Sequence, residues 1–206
     1  MIIQNYPVPA EFGEIEFEVK RSKFLTFAAN AESRAQAEAF IHHLRQKHPK
    51  ANHVCWAYIA GDPNTTIRSM SDDGEPSGTA GMPMLKVLEH SGYGDIVVAV
   101  VRYFGGTKLG TGGLQRAYSD AVSLVLADLP TALKVDRTTL KISYDYTYDD
   151  NISRLLARYD VKDIDANYAQ KVTLSIAIAS SDLSTFKSEL TNVTAGNVEI
   201  LLTDTD

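Results

Sequence analysis

The chain has 206 residues, 44% of them apolar and 22% charged, with a formal net charge of −6. That length holds one large domain or two small ones, and the composition is that of a globular protein. The acidic balance argues against nonspecific nucleic-acid binding, no run approaches the ~18 consecutive apolar residues of a membrane span, and the lone Cys55 excludes an intrachain disulfide or a cysteine-built zinc site.

In chain order, the opening M-I-I-Q-N-Y-P-V-P-A-E-F has no basic segment followed by a long apolar core. No signal peptide is read, and a cytoplasmic location is expected. Glu14–Val19 alternates polar and apolar, as a half-buried strand does. Lys20-Arg21-Ser22-Lys23 interrupts it as a polar hairpin or a charge cluster, and Phe24–Ala29 resumes the strand pattern. Residues 31–48 read as a helix, capped by Ser33 and stopped by Pro49, with His42, His43 and His48 facing solvent. His53–Ala60 is a strand with His53, Cys55 and Ala57 on one face, and Cys55 reads as a buried structural thiol. A turn at 61–64 leads to a short strand over 65–70.

Residues 71–81 form the first of two dense loops, S-D-D-G-E-P-S-G-T-A-G, followed by a helix near 82–90. Asp72, Asp73 and Glu75 suit a divalent metal such as Mg²⁺ or Ca²⁺ by their oxygen chemistry, though their spacing is not that of a calcium loop. The same three carboxylates also suit ion pairs with Arg68, Arg102 or Lys108 that hold the second loop in place. No organic cofactor is called for, and a divalent metal is the one alternative to none.

The second loop follows the apolar run Ile96–Val101 and precedes a helical pattern beginning at Leu114. It holds Gly105, Gly106, Gly110, Gly112 and Gly113, with Lys108 among them. So many glycines imply positive φ angles or close backbone approach. Bare amides at a helix start, beside a lysine, make a site for an oxyanion such as phosphate. A tight structural turn explains the same residues. Neither a Walker A loop nor a dinucleotide fingerprint is present. Arg21, Lys23 and Arg102 are further candidates for an anion or nucleic-acid contact.

Beyond Leu129-Pro130 the composition shifts toward Asp, Thr and Tyr. Strand, helix, strand, strand, helix and strand are predicted at 138–146, 151–159, 161–168, 171–179, 182–190 and 198–202. This βαββαβ order is the ferredoxin-like pattern. It places a domain boundary at 131–137, with domains at 1–130 and 137–206. The N-terminal part carries twelve basic against fourteen acidic residues, and residues 131–206 carry eight against twelve.

The chain resembles the YigZ/IMPACT family along essentially its whole length. The matching residues are Arg21-Ser22-Lys23-Phe24, His53–Tyr58, Ser71–Gly81 and Tyr103–Gly113. The resemblance implies an α+β protein in which a domain like the second domain of ribosomal protein S5 precedes a ferredoxin-like domain similar to the C-terminal domain of elongation factor G. Eukaryotic relatives act in translational control under amino-acid starvation, through the protein that activates an initiation-factor kinase. They carry a further N-terminal domain that this chain lacks, and two-domain bacterial members resemble it better. Two functions compete. One is a translation-linked protein binding RNA, the ribosome or a translation-associated protein through the glycine loop, with a role in stress response. The other is a metal-dependent enzyme, a hydrolase or phosphate-handling protein, acting on a small anionic substrate. No membrane partner is expected.

Overall fold

The structure is a computed structural model that describes residues 5–202, without the side chains of 163 and 164. The outermost residues of the two predicted domains, 1–4 and 203–206, lie outside the described residues. The chain divides into two compact units that meet between Lys134 and Val135 in sequence.

The N-terminal unit runs through β1 (Tyr6–Pro9), β2 (Gly13–Val19), β3 (Ser22–Asn30), α1 (Arg34–Lys47), β4 (His53–Ile59), β5 (Arg68–Ser71), α2 (Gly81–Ser91), β6 (Ile96–Tyr103), α3 (Thr111–Ala127) and β7 (Thr131–Lys134). Five strands form an antiparallel sheet in the order β2-β3-β6-β4-β5. β6 is central and covered on both faces, which is why its sequence is a continuous apolar run. Phe24, Cys55, Ala57, Val98 and Val100 face α2 and α3, together with Tyr118, Ala121 and Val122. Val97, Ala99 and Val101 face the other way, in the clusters that hold Ile41 and Leu44 of α1. Ser33 caps α1 by accepting the Gln36 amide, while the Gln36 side chain accepts the Glu32 amide, so two orphan donors are satisfied together.

The C-terminal unit contains β8 (Arg137–Tyr144), a 3₁₀ turn at Tyr146–Tyr148, α4 (Asp149–Leu156), β9 (Val161–Tyr168), β10 (Val172–Ala179), α5 (Leu183–Val193) and β11 (Val198–Leu202). Its four strands are antiparallel in the order β11-β8-β10-β9. With helices after the first and third strands, this is the ferredoxin-like arrangement. Leu140, Ile142, Leu174 and Ile176 of the sheet pack against Ile152, Leu155, Phe186 and Leu190 of the helices.

Three local features differ from the sequence reading. β1 and β7 pair antiparallel, so residues 131–134, placed at the domain boundary, belong to the first unit. Both strands are four residues long, too short for an alternation to show, and β1 carries two prolines. The hairpin between β2 and β3 is a two-residue turn, Lys20-Arg21, with both φ angles positive (48° and 66°), and Ser22 and Lys23 lie in the strand. His48 is half-buried rather than solvent-facing. Its Nδ1 bonds the Tyr103 hydroxyl, and burial, with Lys47 nearby, lowers its pKa.

Candidate functional site

The sheet register brings three side chains into one row. Phe24 of β3 and His53 of β4 both stand opposite Arg102 at the end of β6. Cβ atoms alternate along a strand, so this row continues the face packed on α2 and α3. The acidic loop comes off β5, and the glycine loop comes off β6 itself. Both dense loops of the sequence therefore arrive at the same end of the same sheet face.

A buried polar cluster forms there. Arg102, 5% exposed, donates from Nη1 to Glu75 Oε1 at 2.5 Å and from Nη2 to Ser22 Oγ at 3.3 Å. The Tyr118 hydroxyl of α3 donates to the same Glu75 Oε1 at 2.8 Å. The rings of Phe24 and Phe104 lie 5.5 and 5.6 Å from the guanidinium carbon. Cys55, wholly buried, donates its thiol to the Asp72 carbonyl at 3.0 Å. Burial, above all, pushes both the Cys55 thiol and the Tyr118 phenol far above their usual pKa ranges. Neither is a ready nucleophile, because nucleophilicity of a thiol needs the thiolate.

The remaining carboxylates are held elsewhere. Asp72 Oδ1 accepts the amides of Ala80 and Gly81, and its Oδ2 accepts that of Gly78. Burial alone would raise its pKa, but the three amides outweigh burial and hold it below the usual carboxylate range. Asp73 Oδ2 accepts the Val54 amide and Oδ1 the Arg45 guanidinium, both at 2.7 Å. Asp72, Asp73 and Glu75 thus serve three different sets of protein donors. Among the described residues no group of three His, Cys, Asp or Glu side chains is placed to hold a metal ion. Arg68, the other sequence-predicted partner for these carboxylates, pairs instead with Glu89.

The glycine loop is fixed at its start and bare beyond it. The Phe104 amide donates to Asn52 Oδ1, and the Gly105 amide to Ser22 Oγ. A Cβ on Gly105 would lie 1.9 Å from the Arg21 carbonyl oxygen, so only glycine fits. Gly106 and Gly110 have φ of 84° and 79°, a region that favours glycine. From Gly106 to Gly113 no amide reaches a protein acceptor among the described residues, and the helical ladder begins only at Leu114, bonded to the Gly110 carbonyl. Gly112 and Gly113 lie in the first turn of α3. Lys108 is exposed, with no salt-bridge partner among the described residues.

The two loops enclose a cavity of about 420 Å³. Its lining includes His53, Glu75, Arg102, Phe104, Lys108 and Gly110. Lys23 and Arg21 are not part of it. Lys23 stands opposite Tyr103, on the other face of the sheet from Arg102, and pairs with Glu16 at 3.0 Å. Arg21 contributes its backbone, which packs against Gly105. Arg102, named from the sequence both as an anion contact and as an ion-pair partner of the acidic loop, takes the second role: it is a buried floor residue neutralised by Glu75. Asn52 and Tyr118 join the site without a signal in the sequence, whereas Ser22 and His53 lie in family-matching segments that carry no assigned role at this site. The register that sets His53 beside Arg102, and the helical phase that turns Tyr118 toward the sheet, give these residues their place.

Among the described residues, no helix is long and apolar enough to cross a membrane. Residues 20–126 match the Impact N-terminal domain, and residues 142–197 match a domain of unknown function, DUF1949. An IMPACT family member of Haemophilus influenzae is 39% identical over 199 residues, covering 96% of this chain and 97% of that protein. The IMPACT family member YigZ of Escherichia coli is 37% identical over 200 residues, covering 97% and 98%. A solved structure described as the crystal structure of a hypothetical protein is 36% identical, with a TM-score of 0.68 over 99% of this chain and all of that one. The α+β architecture, with an S5 second-domain-like unit before a ferredoxin-like unit, is thus shared with a solved homologue. Two family domains in this order, with relatives 37–39% identical over nearly their whole length, make the protein a two-domain member of the IMPACT family.

Proposed function

We propose that the protein is a translation-linked binding protein and that its glycine loop grips an oxyanion, the phosphate of RNA on a translation complex. One observation carries the proposal: the run of amides from Gly106 to Gly113 that have no protein acceptor among the described residues, at the start of a 17-residue helix and beside Lys108, which has no ion-pair partner among them. Orphan amides at a helix N-terminus attract anions through hydrogen bonding and the helix dipole together. Family membership supplies the link to translation. The acidic net charge limits contact to this local patch, so a weak, salt-sensitive association is expected rather than tight coating of nucleic acid.

The test is binding of the full chain to RNA and to ribosomes across a salt series. Association that weakens with salt, and a shallower salt slope in Lys108→Ala, support the reading. No detectable binding at low salt removes RNA and leaves a protein partner. The competing reading, a metal-dependent enzyme on a small anionic substrate, requires Asp72 and Asp73 to give up donors that both oxygens of each now accept, while Glu75 offers only Oε2. Thermal stabilisation by Mg²⁺ or Ca²⁺ that disappears in Asp73→Asn would favour it.

A further inference from the structure

The cavity between the loops holds more than an anion cradle. Glu75 has a side chain only 3% exposed, and all its hydrogen bonds fall on one oxygen, Oε1. Among the described residues no hydrogen bond reaches Oε2. His53 Nε2 stands 3.9 Å from it, beyond hydrogen-bond range. His53 Nδ1 bonds the Asp73 carbonyl at 2.8 Å, and a carbonyl only accepts, so Nδ1 carries the hydrogen. Nε2 is therefore the nitrogen turned toward Glu75. Arg102, 5% exposed, likewise has an Nε with no partner among the described residues. Glu75 Oε2 at the cavity wall has acceptor capacity to spare, so a ligand in the cavity can donate to that oxygen in place of water.

The rest of the cavity says what kind of molecule brings that donor. At one side lie the bare amides and Lys108, which suit a phosphate. The walls between are apolar: Pro76, Phe104, Leu109 and Leu114. Phe104 is 45% exposed, so part of its ring is open to a flat partner. A volume of about 420 Å³ is that of a small-molecule pocket and not of a track for a helical nucleic acid. We propose that the site takes one nucleoside monophosphate unit. Its phosphate lies against the 106–113 amides and Lys108, its base lies along Phe104, and an exocyclic amino or ring N–H donates to Glu75 Oε2. The unit is either a free nucleotide or the phosphorylated end of an RNA. This inference rests on the anion-binding reading of the same loop and specifies what that loop holds.

The experiment is calorimetric titration of the full chain with AMP, CMP, GMP and UMP, inorganic phosphate, and one RNA octamer with either a 5′-phosphate or a 5′-hydroxyl. Mononucleotides are expected to bind more tightly than phosphate. Glu75→Gln, which places an amide donor where the acceptor was, is expected to weaken the amino-bearing nucleotides about tenfold or more and to leave phosphate unchanged. Phe104→Ala acts on an exposed side chain, so it remains informative if Glu75→Gln fails to fold. It is expected to weaken nucleotides about fivefold or more, again sparing phosphate. Preference for the 5′-phosphorylated octamer identifies an RNA end as the source, and preference for free nucleotides over both octamers identifies a metabolite; either supports the proposal. Nucleotides binding no better than phosphate, or unaffected by both substitutions, overturn it. RNA that binds through Lys108 while mononucleotides do not would also overturn it, yet leave the anion-loop reading standing. If neither RNA nor any nucleotide binds, both fall.

Discussion

Glu75→Ala should be the most damaging single carboxylate change in the chain. Glu75 neutralises Arg102 at 2.5 Å and accepts the Tyr118 hydroxyl at 2.8 Å, with both partners essentially out of water. Removing one partner of a buried pair leaves the other charge uncompensated, which costs about 3–5 kcal/mol. The N-terminal unit spans Tyr6–Lys134, and for a unit of that size the cost corresponds to a fall in Tm of roughly 10–20 °C. Trp56, the sole tryptophan, sits on β4 of this unit, so its fluorescence follows this unit's unfolding in urea without interference from the other. Replacing the pair together, as Glu75→Leu with Arg102→Met, removes the stranded charge and should recover most of the loss. A single-variant cost below about 1 kcal/mol would refute the reasoning, as would a double variant that merely sums the two single costs.

Three further outcomes follow from the same contacts. Asp72→Ala should cost about 1–2 kcal/mol, because it strips the acceptor from the amides at the start of α2. Its folded pKa is depressed, so its contribution is full above the usual carboxylate range and is lost as pH falls below about 4; acid unfolding of Asp72→Ala should therefore run closer to flat than that of the parent. At the alkaline end, Tyr6 donates to the buried Asp95, and burial followed by the Asp95 charge raises its pKa to about 12. Because the folded value lies above the unfolded one, this stabilisation is intact below about pH 10 and disappears as pH rises through 12. Lys134, whose bonds to Asp95 and Glu32 outweigh burial and raise its pKa, shifts the same way. A pH titration of thermal stability should show an alkaline decline that Tyr6→Phe makes shallower. Finally, Gly105→Ala should cost more than about 2 kcal/mol, since its Cβ meets the Arg21 backbone. Gly112→Ala, with no heavy atom within 4 Å of the added carbon, should be neutral or stabilising by up to about 1 kcal/mol. Equal effects of the two in urea denaturation would contradict the loop geometry.

The acidic loop illustrates where residue-by-residue reading stopped. Carboxylate chemistry at Asp72, Asp73 and Glu75 is compatible with a metal or with ion pairs, and both readings were open. Which oxygen meets which donor depends on where β4, α1 and α3 pass the loop, and those segments lie 17 to 43 residues away in sequence. His53 opens a strand that belongs to the family-matching segments, but nothing local assigns it a partner. It joins the site only because β4 pairs with β6 in the register that sets His53 beside Arg102.

Periodicity and turn chemistry are local properties, and they were enough for the sequence alone to establish the helices, the main strands, the ferredoxin-like order of the second unit and the special character of the loop at 105–113. The two loop motifs likewise carried the family. What only the tertiary structure decided was which charges pair: that Arg102, not Arg68 or Lys108, meets Glu75 in the interior, that Lys23 faces away beside Glu16, and that Glu75 keeps one oxygen unbonded among the described residues. Electrostatic and hydrogen-bond partners are fixed by distances across strands and loops remote in the chain, and a local pattern holds no record of those distances.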